Sequence, residues 1–266
     1  MSPRETDEAK LYDSRLRAAQ GHTNQALKEL ASVEQSADAF IAAQATYARV
    51  DLQIAANKSK YSDASETLEK LRFRWRGDDL ELQTLRKLGS LYYAKHDWRN
   101  GMAVLRIAAV NFANTDQGLQ SQDDMRVAFS DLFLHGKADM MKPVDALALF
   151  YDFLELTPIG ADGDEMIRKL ADRLVSVDLL APAAELLQHQ VDNRLEGVAK
   201  AEVATKLALI YLMDHKAAEA LKAIRDTGQT GLPDNLTTQR RLLEARALAG
   251  TKQFEQALDM LADDDT

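Results

Sequence analysis

Five histidines, at positions 22, 96, 135, 189 and 215, are the side chains best suited to proton transfer or metal binding near neutral pH. They are scattered, and most fall at turns between predicted helices. Only Glu185 and His189 share a helix face, at i and i+4, and a metal would need further ligands that no spacing supplies. Asp162-Gly163-Asp164-Glu165 resembles the start of a calcium loop but lacks the later ligands and the closing bidentate Glu, so a helix N-cap is the better reading. No H-E-x-x-H, Walker-type phosphate loop or G-x-S-x-G elbow occurs. With no cysteine, thiolate nucleophiles, thiolate metal sites and disulfides are excluded. The expectation is a chain that is not an enzyme and needs no metal or cofactor.

Two further stretches carry chemistry of another kind. Lys70-Leu-Arg72-Phe-Arg74-Trp75-Arg76 opens a segment, 70–106, that holds nine Lys/Arg against four Asp/Glu. Basic side chains interleaved with aromatics suit RNA or an acidic partner. Cations closing a helix at its negative end, with Phe73 or Trp75 turned inward, explain the same run. His135 to Lys142 carries the pair Met140-Met141 in a loop, which suits a turn pinned to its neighbour through one methionine.

The elements that must position these groups are helical. Only 5 Pro and 12 Gly punctuate 266 residues, and good helix formers dominate. Apolar residues step by three and four, as in Phe40, Ala43, Tyr47, Val50 and Ile54. No run alternates long enough to read as a strand. The net charge of −9 argues against general binding to nucleic acid or anionic membrane. No stretch approaches about 18 uninterrupted apolar residues, so no membrane span is expected. The first residues contain no apolar leader, yet helical sequence begins almost at once, so the chain reads as a piece of a longer protein. A soluble protein of the cytoplasm fits, as does one of the periplasm if the parent carries a leader. The tail Asp263-Asp264-Asp265 reads as a solvated acidic end.

A repeat organises the whole. A small residue opens the packed face of every second helix, at Ala26, Ala64, Gly101, Ala146, Ala184, Ala220 and Ala257. The intervals are 38, 37, 45, 38, 36 and 37 residues, the long one placing an insertion near His135 to Lys142. Units of this size bury their apolar stripe only by stacking on neighbours. The units fall roughly at 5–35, 37–76, 78–114, 116–157, 162–195, 197–228 and 234–262, forming one domain over 1–266.

Leu85, Leu88, Gly89, Tyr92, Gly101 and Leu105 follow the spacing W-x₂-L-G-x₂-Y…A-x₃-F of tetratricopeptide (TPR) repeats. Leu207, Ala208, Tyr211, Ala220 and Ile224 do so again, and Ala146, Phe150 and Pro158 supply the later part. The chain therefore resembles a TPR-like helical-repeat protein. The resemblance implies an all-α, right-handed α-solenoid of about seven helix-turn-helix hairpins with a period near 37 residues. It also implies a protein-interaction scaffold whose first helices line a concave face for a peptide or protein. In that register Arg49, Gln53 and Asn57 face inward from the second unit, beside Arg86, Ser90 and Tyr93 from the third. The family's carboxylate-clamp pattern of Lys and Asn is not reproduced. Two other readings are an RNA-binding helical-repeat module using 70–106 and a structural module that self-assembles through its terminal hairpins.

Overall fold

Local sequence starts most of the early helices. Ser2 accepts from the Glu5 amide, and the Glu5 carboxylate accepts from Ser2 at 2.7 Å, a reciprocal cap. Asp38 and Asp78 each accept from two backbone amides and open the next helices. In the computed structural model, which describes residues 2–262, these signals yield fourteen α-helices and no strand. In chain order they are α1 (Pro3–Ala19), α2 (Thr23–Val33), α3 (Ala39–Ala55), α4 (Tyr61–Arg74), α5 (Asp79–Ala94), α6 (Trp98–Asn111) and α7 (Asp116–Phe133). Then follow α8 (Pro143–Asp152), α9 (Ala161–Val175), α10 (Leu180–Asn193), α11 (Gly197–Met213), α12 (Ala217–Arg225), α13 (Asp234–Gly250) and α14 (Phe254–Ala262). The acidic tail lies outside the described residues. The chain is an all-α helical repeat.

The repeat is physical. Each of the seven small residues lies in an even-numbered helix, is buried, and in six helices is the fourth residue. A position that admits only Ala or Gly lets the helix backbone approach its partner closely. The α5–α6 crossing shows why: a Cβ on Gly89 would meet Leu105 at 2.7 Å, and one on Gly101 would overlap the Tyr93 ring.

Six of the hairpins also turn alike. An amide bonds the carbonyl five residues back, as in His22→Arg17, Lys58→Gln53, Asp97→Tyr92, Leu179→Leu174, Lys216→Tyr211 and Gln253→Leu248. The preceding residue takes positive φ, the Schellman closure of a helix. Only the first of these turns uses glycine, Gly21; the others use Asn57, His96, Asp178, His215 and Lys252. His96 and His215 are therefore turn residues by conformation.

The chain divides into two compact units, Met1–Ala128 and Phe129–Thr266, with the boundary inside α7. In the first, Leu68, Leu85 and Leu88 form the centre of a core against which Phe40 and Trp75 pack, their rings 4.9 Å apart. Leu11, Leu30, Val33 and Ile41 make a smaller cluster beneath α1. Burying one such side chain contributes about 1.5–3 kcal/mol, against roughly 0–1 kcal/mol for an exposed ion pair, so packing sets the unit's stability.

In the second unit Phe129, Phe133 and Phe150 form a buried aromatic triad, with centroids 4.7, 5.5 and 5.1 Å apart. The insertion expected near 135–142 contains a short 3-10 segment, Lys137–Met140. It is held mainly by Arg173 of α9, whose guanidinium donates to the carbonyls of Ala138, Asp139 and Met141. Lys169 adds a bond to the Leu134 carbonyl at 2.9 Å. Met140 is 94% exposed and Met141 half-buried, so the methionines contribute less than the carbonyls do. The Asp162–Glu165 stretch also departs from expectation. Gly160 is the N-cap, and Asp164 instead accepts from Arg194 at 2.8 Å beneath the end of α10.

Arg240 is the least expected group of this unit. It is 6% exposed and donates to the carbonyls of Ala201 and Ile224 and to the hydroxyls of Thr205 and Thr227, all within 3.1 Å. It thereby ties α13 to α11 and to the end of α12, whose carbonyls favour a cation. Burial lowers its pKa from the ordinary arginine value, and the nearby Glu244 works in the other direction.

Candidate functional site

The first unit contains an open groove of about 880 Å³ floored by α1, α3 and α5, the first helices of three successive hairpins. On α3 its residues step by three and four: Gln44, Tyr47, Ala48, Asp51 and Ala55. Phe40 and Tyr47 give it apolar walls, and Ala18, Ala48 and Ala55 keep the floor low. Gln83 lines it from α5 and Arg15 from α1. Asp51 pairs with Lys87 at 2.5 Å, and Asp78 is occupied with capping α5 and accepting from the Trp75 indole at 2.8 Å. No bond from the Gln44 or Gln83 side chain to another described residue is recorded. An amide group presents one acceptor and two donors, the complement of a peptide unit.

The groove also shifts a tyrosine. Desolvation, with Asp51 nearby, pushes the Tyr47 phenol up to about 12. Tyr47 stays a neutral donor at physiological pH.

The six residues expected on the inner face are not among those that line this groove. Arg49 bonds Glu34 at 2.7 Å, leaning back on the end of the preceding hairpin. Gln53 is half-buried on α3, outside the groove. Asn57 lies past the end of α3 with φ 53°, so it forms the turn and does not continue the helix face. Arg86 bonds Asp124 at 3.2 Å, and Ser90 donates to its own helix at Lys87. Tyr93 packs over Gly101 and beside Trp98, with ring centroids 5.4 Å apart, and its hydroxyl is buried. Burial, with Asp124 near, raises its pKa. None of the six lines the groove. The signal that finds the groove is the row 44-48-51-55, one step round α3 from the row Arg49–Gln53.

The basic segment is mostly tied down locally. Lys70 pairs with Glu66 at 2.7 Å and Arg72 with Glu69 at 2.6 Å. Trp75 is the inward aromatic. Phe73 is 63% exposed, with the Arg72 and Arg76 guanidinium groups 4.7 and 5.6 Å from its ring.

Among known proteins, no family model matches the chain. No curated protein matches it either. Solved structures similar to it are TPR-containing proteins. PilF of Pseudomonas aeruginosa is 17% identical, at a TM-score of 0.36 over 85% of this chain and 93% of that one. The TPR2AB domain of yeast Sti1, in complex with pHSP90, is 12% identical, at 0.38 over 97% and 99%. The quorum sensor NprR of B. thuringiensis, in complex with its cognate peptide NprX, is 11% identical, at 0.39 over 98% and 77%.

Proposed function

We propose that the chain is a protein-interaction module that seats an extended peptide segment of a partner protein in the groove of its first unit. The observation that carries this reading is the pairing of an open groove with the amides of Gln44 and Gln83, unengaged among the described residues, on the first helices of two successive hairpins. Side chains that reach backbone groups bind an extended segment with little demand on its sequence, and Phe40 and Tyr47 add an apolar contact. A photocrosslinker at position 44 should capture a partner, and Gln44→Ala with Gln83→Ala should weaken that capture. Arg49→Ala with Arg86→Ala tests the face read from the sequence. If only that second pair lowers capture, the binding face is the helix edge around Arg49, Gln53, Arg86, Ser90 and Tyr93, and the groove assignment falls.

A second reading rests on α14. Phe254, Leu258 and Leu261 are 59, 68 and 43% exposed on one face of this helix. An apolar outer face on a stacked helix suits association of two copies. Light scattering over a range of concentrations tests it, and a constant monomeric mass would remove it.

A further inference from the structure

The Glu185–His189 pair acquires a setting in the second unit. Glu185, His189 and Asp192 follow one another at i, i+4 and i+7 along α10 and line a pocket of about 490 Å³. That volume lies within the roughly 300–1,000 Å³ usual for small-ligand sites. Among the described residues no three His, Cys, Asp or Glu side chains converge closely enough to hold a metal ion. The rest of the lining is of another character. Tyr151 and Tyr211 contribute aromatic rings, while Leu154 and Ile167 contribute aliphatic wall.

The polar part of the lining is held in place. Gln188 donates to Asp192 at 2.9 Å and accepts from the Tyr211 hydroxyl at 3.3 Å, so one amide fixes both. Tyr151 packs edge-on against buried Phe150, with ring centroids 6.2 Å apart. Glu185 has no recorded bond to another described side chain, yet it is near enough to Tyr151 to help desolvation raise that phenol. Lys216, a cation on the same lining, lies 2.7 Å from Asp214, which is outside it. With that lysine neutralised, Glu185 and Asp192 set the sign of the pocket.

We infer that this pocket binds an organic cation on an apolar stem, an alkylammonium or alkylguanidinium group. Its aromatic faces attract cations, its carboxylates pair with them, and its aliphatic wall covers the methylenes. A lysine or arginine side chain of a partner protein carries this chemistry, and so does a free amine.

The test uses the full chain and four probes: butylammonium, its neutral isostere 1-butanol, the peptide acetyl-Gly-Gly-Lys-Gly-Gly-amide and its norleucine counterpart. Amide NMR shifts around Tyr151 and Tyr211 report binding. Butylammonium should bind at least about tenfold more tightly than 1-butanol, and Glu185→Gln should erase most of that difference. Glu66→Gln, an exposed acid of the other unit, should leave it intact. Tighter binding of the lysine peptide than of butylammonium identifies a protein side chain as the ligand. Binding of the free amine at least as tight identifies a small amine, and either result supports a cation site. Equal affinity for butylammonium and 1-butanol, or an equal response to Glu66→Gln and Glu185→Gln, overturns the proposal. So does the absence of shifts with butylammonium and both peptides.

Discussion

The Tyr93 ring lies where a side chain on Gly101 would have to be, so the two residues fit as a pair across the α5–α6 crossing. Gly101→Ala adds helix propensity worth about 1 kcal/mol but forces the ring or the helix to move. With overpacking costing about 1–3 kcal/mol, the net loss should be about 0–2 kcal/mol, read as a lower denaturation midpoint. In a Tyr93→Leu background the same change should cost less, because the opposing ring is gone. Equal costs in the two backgrounds would show that the crossing relaxes by another route.

Arg240 predicts a large effect from one polar side chain. Replacing it with leucine removes the donor to the hydroxyls of Thr205 and Thr227 and leaves the carbonyls of Ala201 and Ile224 with their bonds from those threonines. A loss of about 3 kcal/mol in denaturant unfolding is expected. Arg240→Lys should recover only part of it, since an ammonium cannot reach four acceptors in a fork.

The insertion should loosen without unfolding the unit when Arg173 is removed. Arg173→Ala deletes the donor to three carbonyls of residues 138–141. Faster hydrogen exchange and protease cutting at 136–142 are expected, with global stability lowered by about 1 kcal/mol. Unchanged exchange there would assign the restraint to Lys169 and the half-buried Met141.

Alkaline pH should destabilise the first unit through Tyr47. Its folded pKa of about 12 lies above the ordinary value of 10.0, so the unfolded chain loses its proton first as pH rises. The stabilisation is whole below the unfolded pKa and is lost as pH climbs through the folded one. Tyr47→Phe should flatten the fall in stability between about pH 10 and 12. Denaturant titrations at several pH values check this, and parallel curves for the two proteins would refute it.

Much of the fold was legible because its signals are local. The row from Ala26 to Ala257 marks the same fourth position of a helix in six units, and Asp78 caps where a Gly-Asp pair advertises a cap. The site was less legible because helical spacing gives a stripe but not its rotation about the axis. Tyr47 reads as core by periodicity, yet it is half-buried and lines the groove, whereas Arg49 turns back to Glu34. Asn57 looked like a continuation of the face because nothing in its type forbids a helix. Its left-handed backbone is imposed by the turn that the neighbouring helices require.

That turn has a practical consequence for engineering. Histidine at 96 and 215 and lysine at 252 hold positive φ without the freedom of glycine. A left-handed residue with a Cβ costs roughly 1–2 kcal/mol, partly offset in a glycine variant by the extra freedom of its unfolded chain. His96→Gly, His215→Gly and Lys252→Gly are thus three separate ways to raise heat resistance, all outside the groove and the α10 pocket. A combined variant would make a hardier host on which to graft new recognition surfaces.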